Sequence, residues 1–241
     1  MAGFRFKQFE IKQDRCAMKV GTDGVLLGAW AMGGKRILDV GCGTGLVALM
    51  MAQRYPNAYV VGIDIDEEAS VQASENVLSS PFADRVEIVH CRLQDYCVEE
   101  STMEKPLFDA IVSNPPFFVN SQKAPDAKRT LARHADSLPF RDLLAGVKRL
   151  LAEDGEFSVI IPSEVVELME SEAYMLGFFL LRKCAVKTVV RKAPKRYLLS
   201  FAKTRLRTLS VQEEIMTNNS GERSEWYLCL TQDFYLEKSE E

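Results

Sequence analysis

From Arg36 to Val190 the chain alternates short apolar runs with stretches of helical period, and that rhythm restricts the fold more than any other feature. Arg36 to Val40, Ala58 to Ile63, Val86 to Val89, Phe108 to Val112 and Phe157 to Ile161 read as strands. Leu46 to Arg54, Glu67 to Leu78, Pro139 to Leu151 and Ser163 to Met175 read as helices between them. Alternation of this kind builds βαβ units, whose parallel sheet is covered by helices on both faces. Phe178 to Val190 and Tyr197 to Ala202 then follow each other with only a basic turn at Pro194 between them, which predicts an antiparallel hairpin at the sheet edge. The expected fold is α/β, a seven-stranded, mostly parallel sheet ending in an antiparallel C-terminal hairpin.

No linker, repeat or low-complexity tract interrupts the 241 residues, so a single domain, 1–241, is expected. Within it, 1–35 reads as an N-terminal lid: Phe4 to Gln13 alternates like a strand, and Thr22-Asp23 would cap a helix through Gly24 to Ala31. Residues 36–206 form the core. Residues 207–241 read as extra strands, Leu209 to Met216 and Trp226 to Leu230, around Asn218-Asn219-Ser220-Gly221. Lys123 to Ala135 is a long charged loop of the kind that often carries function. No apolar run is long enough to span a membrane, and with Met1 to Gln13 alternating aromatic and basic residues no secretory leader is expected. Six cysteines without a C-x-x-C pair suggest reduced thiols in a cytoplasmic protein, and two histidines offer no metal cluster. A monomer is the expected state, although no residue pattern specifies it.

Leu38-Asp39-Val40-Gly41-Cys42-Gly43-Thr44-Gly45 leaves a strand and opens a helix. Glycines there remove side chains, so a ligand can approach the backbone beside the helix N-terminus. Asp64, at the end of the next strand, is placed to accept hydrogen bonds from ribose hydroxyls, and Ile65 follows it. The dinucleotide fingerprint is not met, since Leu46 stands three residues after Gly43. Asp39 suits a cationic ligand group better than a pyrophosphate.

Asn114-Pro115-Pro116-Phe117 ends the fourth strand, at the carboxyl edge where open α/β sheets bind ligands. The Asn114 amide oxygen and the Pro115 carbonyl can together accept both hydrogens of an exocyclic amine, aiming its nitrogen at an electrophile. Pro115 and Pro116 fix the backbone and bring no competing donor. Phe117 offers a face on which the ring bearing that amine can stack. No nucleophile–base triad is needed for such a reaction.

The D-x-G-x-G-x-G loop resembles the cofactor loop of class I S-adenosylmethionine-dependent methyltransferases, and N-P-P-F resembles the signature of those that methylate amines. A closer likeness joins Phe4-x-Phe6-Lys7-Gln8-Phe9, Met18 to Trp30, Ala132-Arg133-His134 and Pro194-x-Arg196-Tyr197-Leu198-Leu199-Ser200-Phe201 to the bacterial tRNA1(Val) adenine-37 N6-methyltransferases. This resemblance implies a Rossmann-like fold, S-adenosyl-L-methionine as cofactor and methyl transfer to adenine in a tRNA anticodon stem-loop. It implies that Lys19, Thr22 and Asp23 lie over the cofactor, and that Arg92 stands where the family commonly has an acid near the cofactor adenine, beside Leu93. An rRNA guanine-N2 or adenine-N6 methyltransferase, a protein glutamine-N5 methyltransferase and a non-catalytic binding module remain alternatives.

The net charge is −4, yet residues 182–207 hold ten Lys/Arg and no Asp or Glu. Such a block is the electrostatic footprint of a nucleic-acid face. Arg182, Lys183, Lys187, Arg191, Lys192, Lys195 and Arg196, with Lys123, Lys128, Arg129 and Arg133 of the loop, are the expected RNA contacts.

Overall fold

A computed structural model describes residues 3–16, 19–102, 107–116, 138–205 and 208–236. Its centre is five parallel strands, β3 (Arg36–Val40), β4 (Tyr59–Asp64), β5 (Val86–His90), β6 (Phe108–Ser113) and β7 (Leu151–Pro162). The chain adds β4 and β5 on one side of β3, then returns to place β6 and β7 on the other. That reversal opens a crevice at the carboxyl ends beside β3, the usual ligand position in such sheets. The register aligns the ends: Asp39 faces Gly62, Val40 faces both Ile63 and Ser113, and Asp64 faces His90.

Beyond β7 the sheet continues through the expected antiparallel hairpin, β8 (Phe179–Val189) and β9 (Arg196–Ala202), with β9 inserted between β7 and β8. The hairpin is not the edge. An eighth strand, β10 (Ser210–Thr217), pairs parallel to β8 and takes that place. At the N-terminus β1 (Phe4–Arg5) and β2 (Glu10–Ile11) form a separate small hairpin. Its Phe6, Phe9 and Ile11 are buried, and Phe6 stacks on Tyr235 near the other end of the described chain.

Helices cover both faces. On one lie α1 (Thr22–Trp30), α2 (Leu46–Arg54) and α3 (Glu67–Leu78), packed on Ile37, Val60, Ala110 and Val112. On the other lie α4 (Leu93–Thr102), α5 (Phe140–Leu150) and α6 (Val166–Met175), packed on Leu38, Val61, Ile63 and Ile111. Strand neighbours thus divide between two cores, as side chains alternating across a sheet must. Burying an aliphatic side chain in either core stabilises the fold by about 1.5–3 kcal/mol.

Three further expectations change. Trp226 to Leu230, read as a strand, lies in helix α7 (Glu225–Thr231), whose N-cap Ser224 accepts from the Tyr227 N–H. Thr22 does not cap α1: Gly21 holds the N-cap position and Thr22 begins the helix. Helix α4 fills a stretch for which the apolar pattern predicts no element.

Candidate active site

The turn after β3 is shaped by its glycines. Gly41, Gly43 and Gly45 have φ of 72°, 54° and 78°, a region that L side chains enter only at a cost. Gly41 and Cys42 donate backbone N–H bonds to the Ile63 carbonyl, tying the turn to the end of β4. Asp64 reaches back: its Oδ2 accepts from Gly43 N at 2.7 Å and its Oδ1 from Asp66 N at 2.9 Å. Asp66 in turn caps α3 through Glu68 N and Ala69 N.

Asp39 has a part that its position in the sequence does not disclose. It is 1% exposed and its Oδ2 accepts from Ala48 N at 3.0 Å, satisfying a donor in the first turn of α2. Burial pushes its carboxyl up to about 7, against the Ala48 bond and with a smaller push from the Asp64 charge. Asp64 and Asp23 are also raised by burial, Asp23 in spite of Arg196 beside it.

One cavity of about 810 Å3 gathers these groups. Its walls include Asp39, Gly41, Gly43, Asp64, Ile65, Arg92 and Leu93 on one side, and Ser113, Asn114, Pro115 and Pro116 on another. Lys19, Thr22 and Asp23 close it from the N-terminal segment. A Cβ built on Gly41 would meet nothing within 4 Å, so the glycine keeps an open cradle in which a ligand can touch backbone. Gly45 is not in the wall; it is the N-cap of α2 and turns towards Ala73 of α3, which a Cβ there would meet at 3.3 Å. Asp66 and Asp142 line the cavity without any sequence motif to mark them. His90, by contrast, holds the Ile65 carbonyl through Nε2 at 3.0 Å and does not line the cavity.

The basic block divides in two. Arg182 pairs with Glu156 and lies 3.7 Å over the Trp30 ring; Lys183 pairs with Glu170; Lys187 pairs with Glu213. In this structure those three side chains tie elements together. Arg196 lines the cavity and forms an ion pair with Asp23 at 2.7 Å. Arg191, Lys192 and Lys195 stand exposed at the tip between β8 and β9, at the same end of the sheet as the cavity. No carboxylate among the described residues pairs with them. Phe117, Lys123, Lys128, Arg129, Arg133 and His134 lie outside the described residues. Among the described residues no group of three or more His, Cys, Asp or Glu could hold a metal ion, and no helix is long and apolar enough to cross a membrane.

The architecture overlays the crystal structure of a predicted O-methyltransferase from Agrobacterium tumefaciens with a TM-score of 0.69, at 19% identity, covering 88% of this chain and 96% of that one. The fold is therefore that of the Rossmann-like methyltransferases. Residues 22–166 match the methyltransferase small domain family. Two curated proteins, each a tRNA1(Val) (adenine(37)-N6)-methyltransferase, are similar over nearly their full length. The one from Bacteroides thetaiotaomicron is 47% identical over 97% of both chains, and that from Phocaeicola vulgatus 46% over 97% of both. The chain belongs to the methyltransferase small domain family and, within it, to the family of these relatives.

Proposed function

We propose that the chain transfers a methyl group from S-adenosyl-L-methionine to the exocyclic N6 amine of adenine 37 in the anticodon loop of tRNA1(Val). The observation that carries this reading is the shared cavity: Asn114-Pro115-Pro116 and the Gly41–Asp64 cradle line the same space. When bound, S-adenosyl-L-methionine supplies a methyl group activated by a positively charged sulfur. The chain's part is to hold, aim and exclude.

Gly41 and Gly43 let the cofactor lie on the backbone, and Asp64 keeps lone pairs for ribose hydroxyls after accepting its two N–H bonds. Ile65 and Leu93 offer apolar contact to a flat base, and Arg92 borders them. The carboxylates of Asp23, Asp39, Asp64, Asp66 and Asp142 make a wall suited to a cation. Asn114 and Pro115 accept the two amine hydrogens, favouring a tetrahedral nitrogen whose lone pair points away from the ring. Phe117 stacks on the target base, a contact of about 1–3 kcal/mol. That compares with the few kcal/mol required to draw a base out of its stack.

Five carboxyl groups against three cationic side chains, Lys19, Arg92 and Arg196, line the cavity, a balance that favours a cation over phosphate, so the RNA backbone docks outside it. Arg191, Lys192 and Lys195, exposed at the tip between β8 and β9 at the cavity's end of the sheet, are placed to meet it, and Lys123, Lys128, Arg129 and Arg133 are the further RNA contacts of this reading. Anticodon loops suit this arrangement because their unpaired bases can be splayed into a site. The test is Asn114→Ala: methyl transfer to tRNA should fall by at least about a hundredfold, with binding of S-adenosylhomocysteine retained. Wild-type turnover in that variant would remove Asn114 from the chemistry.

A further inference from the structure

Helix α3 presents two amides to the interior, Gln72 and Asn76, spaced four residues apart on one stripe and essentially unexposed. A buried amide is costly unless its groups are paired. Asn76 is fully engaged. Its Oδ1 accepts from Lys12 N, while its Nδ2 donates to Lys12 O and to Thr44 O, each at 2.9 Å. Thr44 lies between Gly43 and Gly45 of the cofactor turn, and Lys12 lies in the N-terminal segment that follows β2. Gln72 fastens the same segment further along, accepting from Arg15 N at 3.2 Å, and Arg15 pairs with Glu75. The segment then delivers Cys16 to the cavity wall, and Gln13 accepts from Val20 N at 2.8 Å where Lys19 to Thr22 line the cavity.

We infer that Asn76, which nothing in the reaction requires, is a positioning residue for the cofactor. The glycine turn is gripped from the cavity side by Asp64 through Gly43 N and from behind by Asn76 through Thr44 O. The same amide fixes the outer wall through Lys12. One side chain therefore sets the distance between two walls of the cofactor space without touching the substrate end. An alkyl side chain at this position would pack but could not hold either wall. This inference rests on the proposed cofactor reading.

The test is titration of S-adenosylhomocysteine into wild type, Asn76→Ala and Asn76→Asp, with melting temperature and steady-state kinetics on tRNA. Asn76→Asp keeps the size and the acceptor for Lys12 N but loses both donations. Both variants should bind S-adenosylhomocysteine about tenfold or more weakly, the effect expected if the released walls cost the ligand the equivalent of one well-placed hydrogen bond. The KM for S-adenosylmethionine should rise in parallel, while kcat at saturating cofactor and the KM for tRNA stay within about twofold. Arg182→Ala serves as a control that lowers stability at a site remote from the cavity, and it should leave ligand affinity unchanged. Folded Asn76→Asp protein with wild-type affinity would overturn the inference alone. Failure of wild type to bind S-adenosylhomocysteine would overturn the cofactor reading, and this inference with it.

Discussion

Replacing Asp39 by Asn should make the ligand-free protein more stable and a poorer binder, and the gain should depend on pH. The carboxyl is buried and titrates near 7 in the fold, against an ordinary value of 3.8. A group whose folded value lies above its unfolded one holds its proton more tightly when folded, so stability is highest below about pH 4 and is lost as pH rises towards 7. Above 7 the whole penalty is present, about 4 kcal/mol for a gap that starts at 3.8. Asn has the same shape, keeps an oxygen for Ala48 N and carries no charge. Urea denaturation of both proteins should therefore give similar stabilities at pH 4, with the Asn variant gaining progressively to a plateau above pH 7. The same change removes a carboxylate from the wall that faces a cationic cofactor, so affinity for S-adenosylmethionine should fall where stability rises. Parallel stability–pH curves for the two proteins would refute the assignment of this penalty to Asp39.

Three further outcomes are expected. Changing Arg191, Lys192 and Lys195 together to Gln should lower the slope of log affinity for tRNA against log salt by about 0.7–0.9 for each phosphate no longer neutralised, measured by filter binding across a salt series. Gly41→Ala and Gly221→Ala both place a side chain at positive φ with open space around it; each should lose about 1–2 kcal/mol of stability, and only Gly41→Ala should weaken S-adenosylhomocysteine binding in calorimetry. Arg182→Ala should lose about 1–2 kcal/mol in denaturant titration, from its stacking on Trp30 and its part-buried pair with Glu156, with an unchanged salt slope for tRNA.

Features written locally are the ones legible in the sequence. The glycine turn between β3 and α2, Asp64 at the end of β4 and Asn114-Pro115-Pro116 at the end of β6 each follow a strand, and parallel register alone brings strand ends together. What stays hidden depends on partners far along the chain. Arg182, Lys183 and Lys187 form a charge run, but Glu156, Glu170 and Glu213, which neutralise them, reach them only through strand pairing and helix packing. The sequence separation of 64 between Lys12 and Asn76 conceals their bonds in the same way. Two misses have local signals. Leu93, Tyr96 and Cys97 recur at helical spacing and are the buried face of α4. Ser224 before Glu225 is an N-cap signal for α7, outweighed by the aromatic run that follows.

The most direct test is methyl transfer from labelled S-adenosylmethionine to unmodified tRNA1(Val) transcripts carrying A37 or G37, with rRNA and protein fractions alongside. Label should enter only the A37 transcript, and nucleoside digestion should return it as N6-methyladenosine. Label in the G37 transcript, or in rRNA or protein in place of tRNA, would contradict the proposed function.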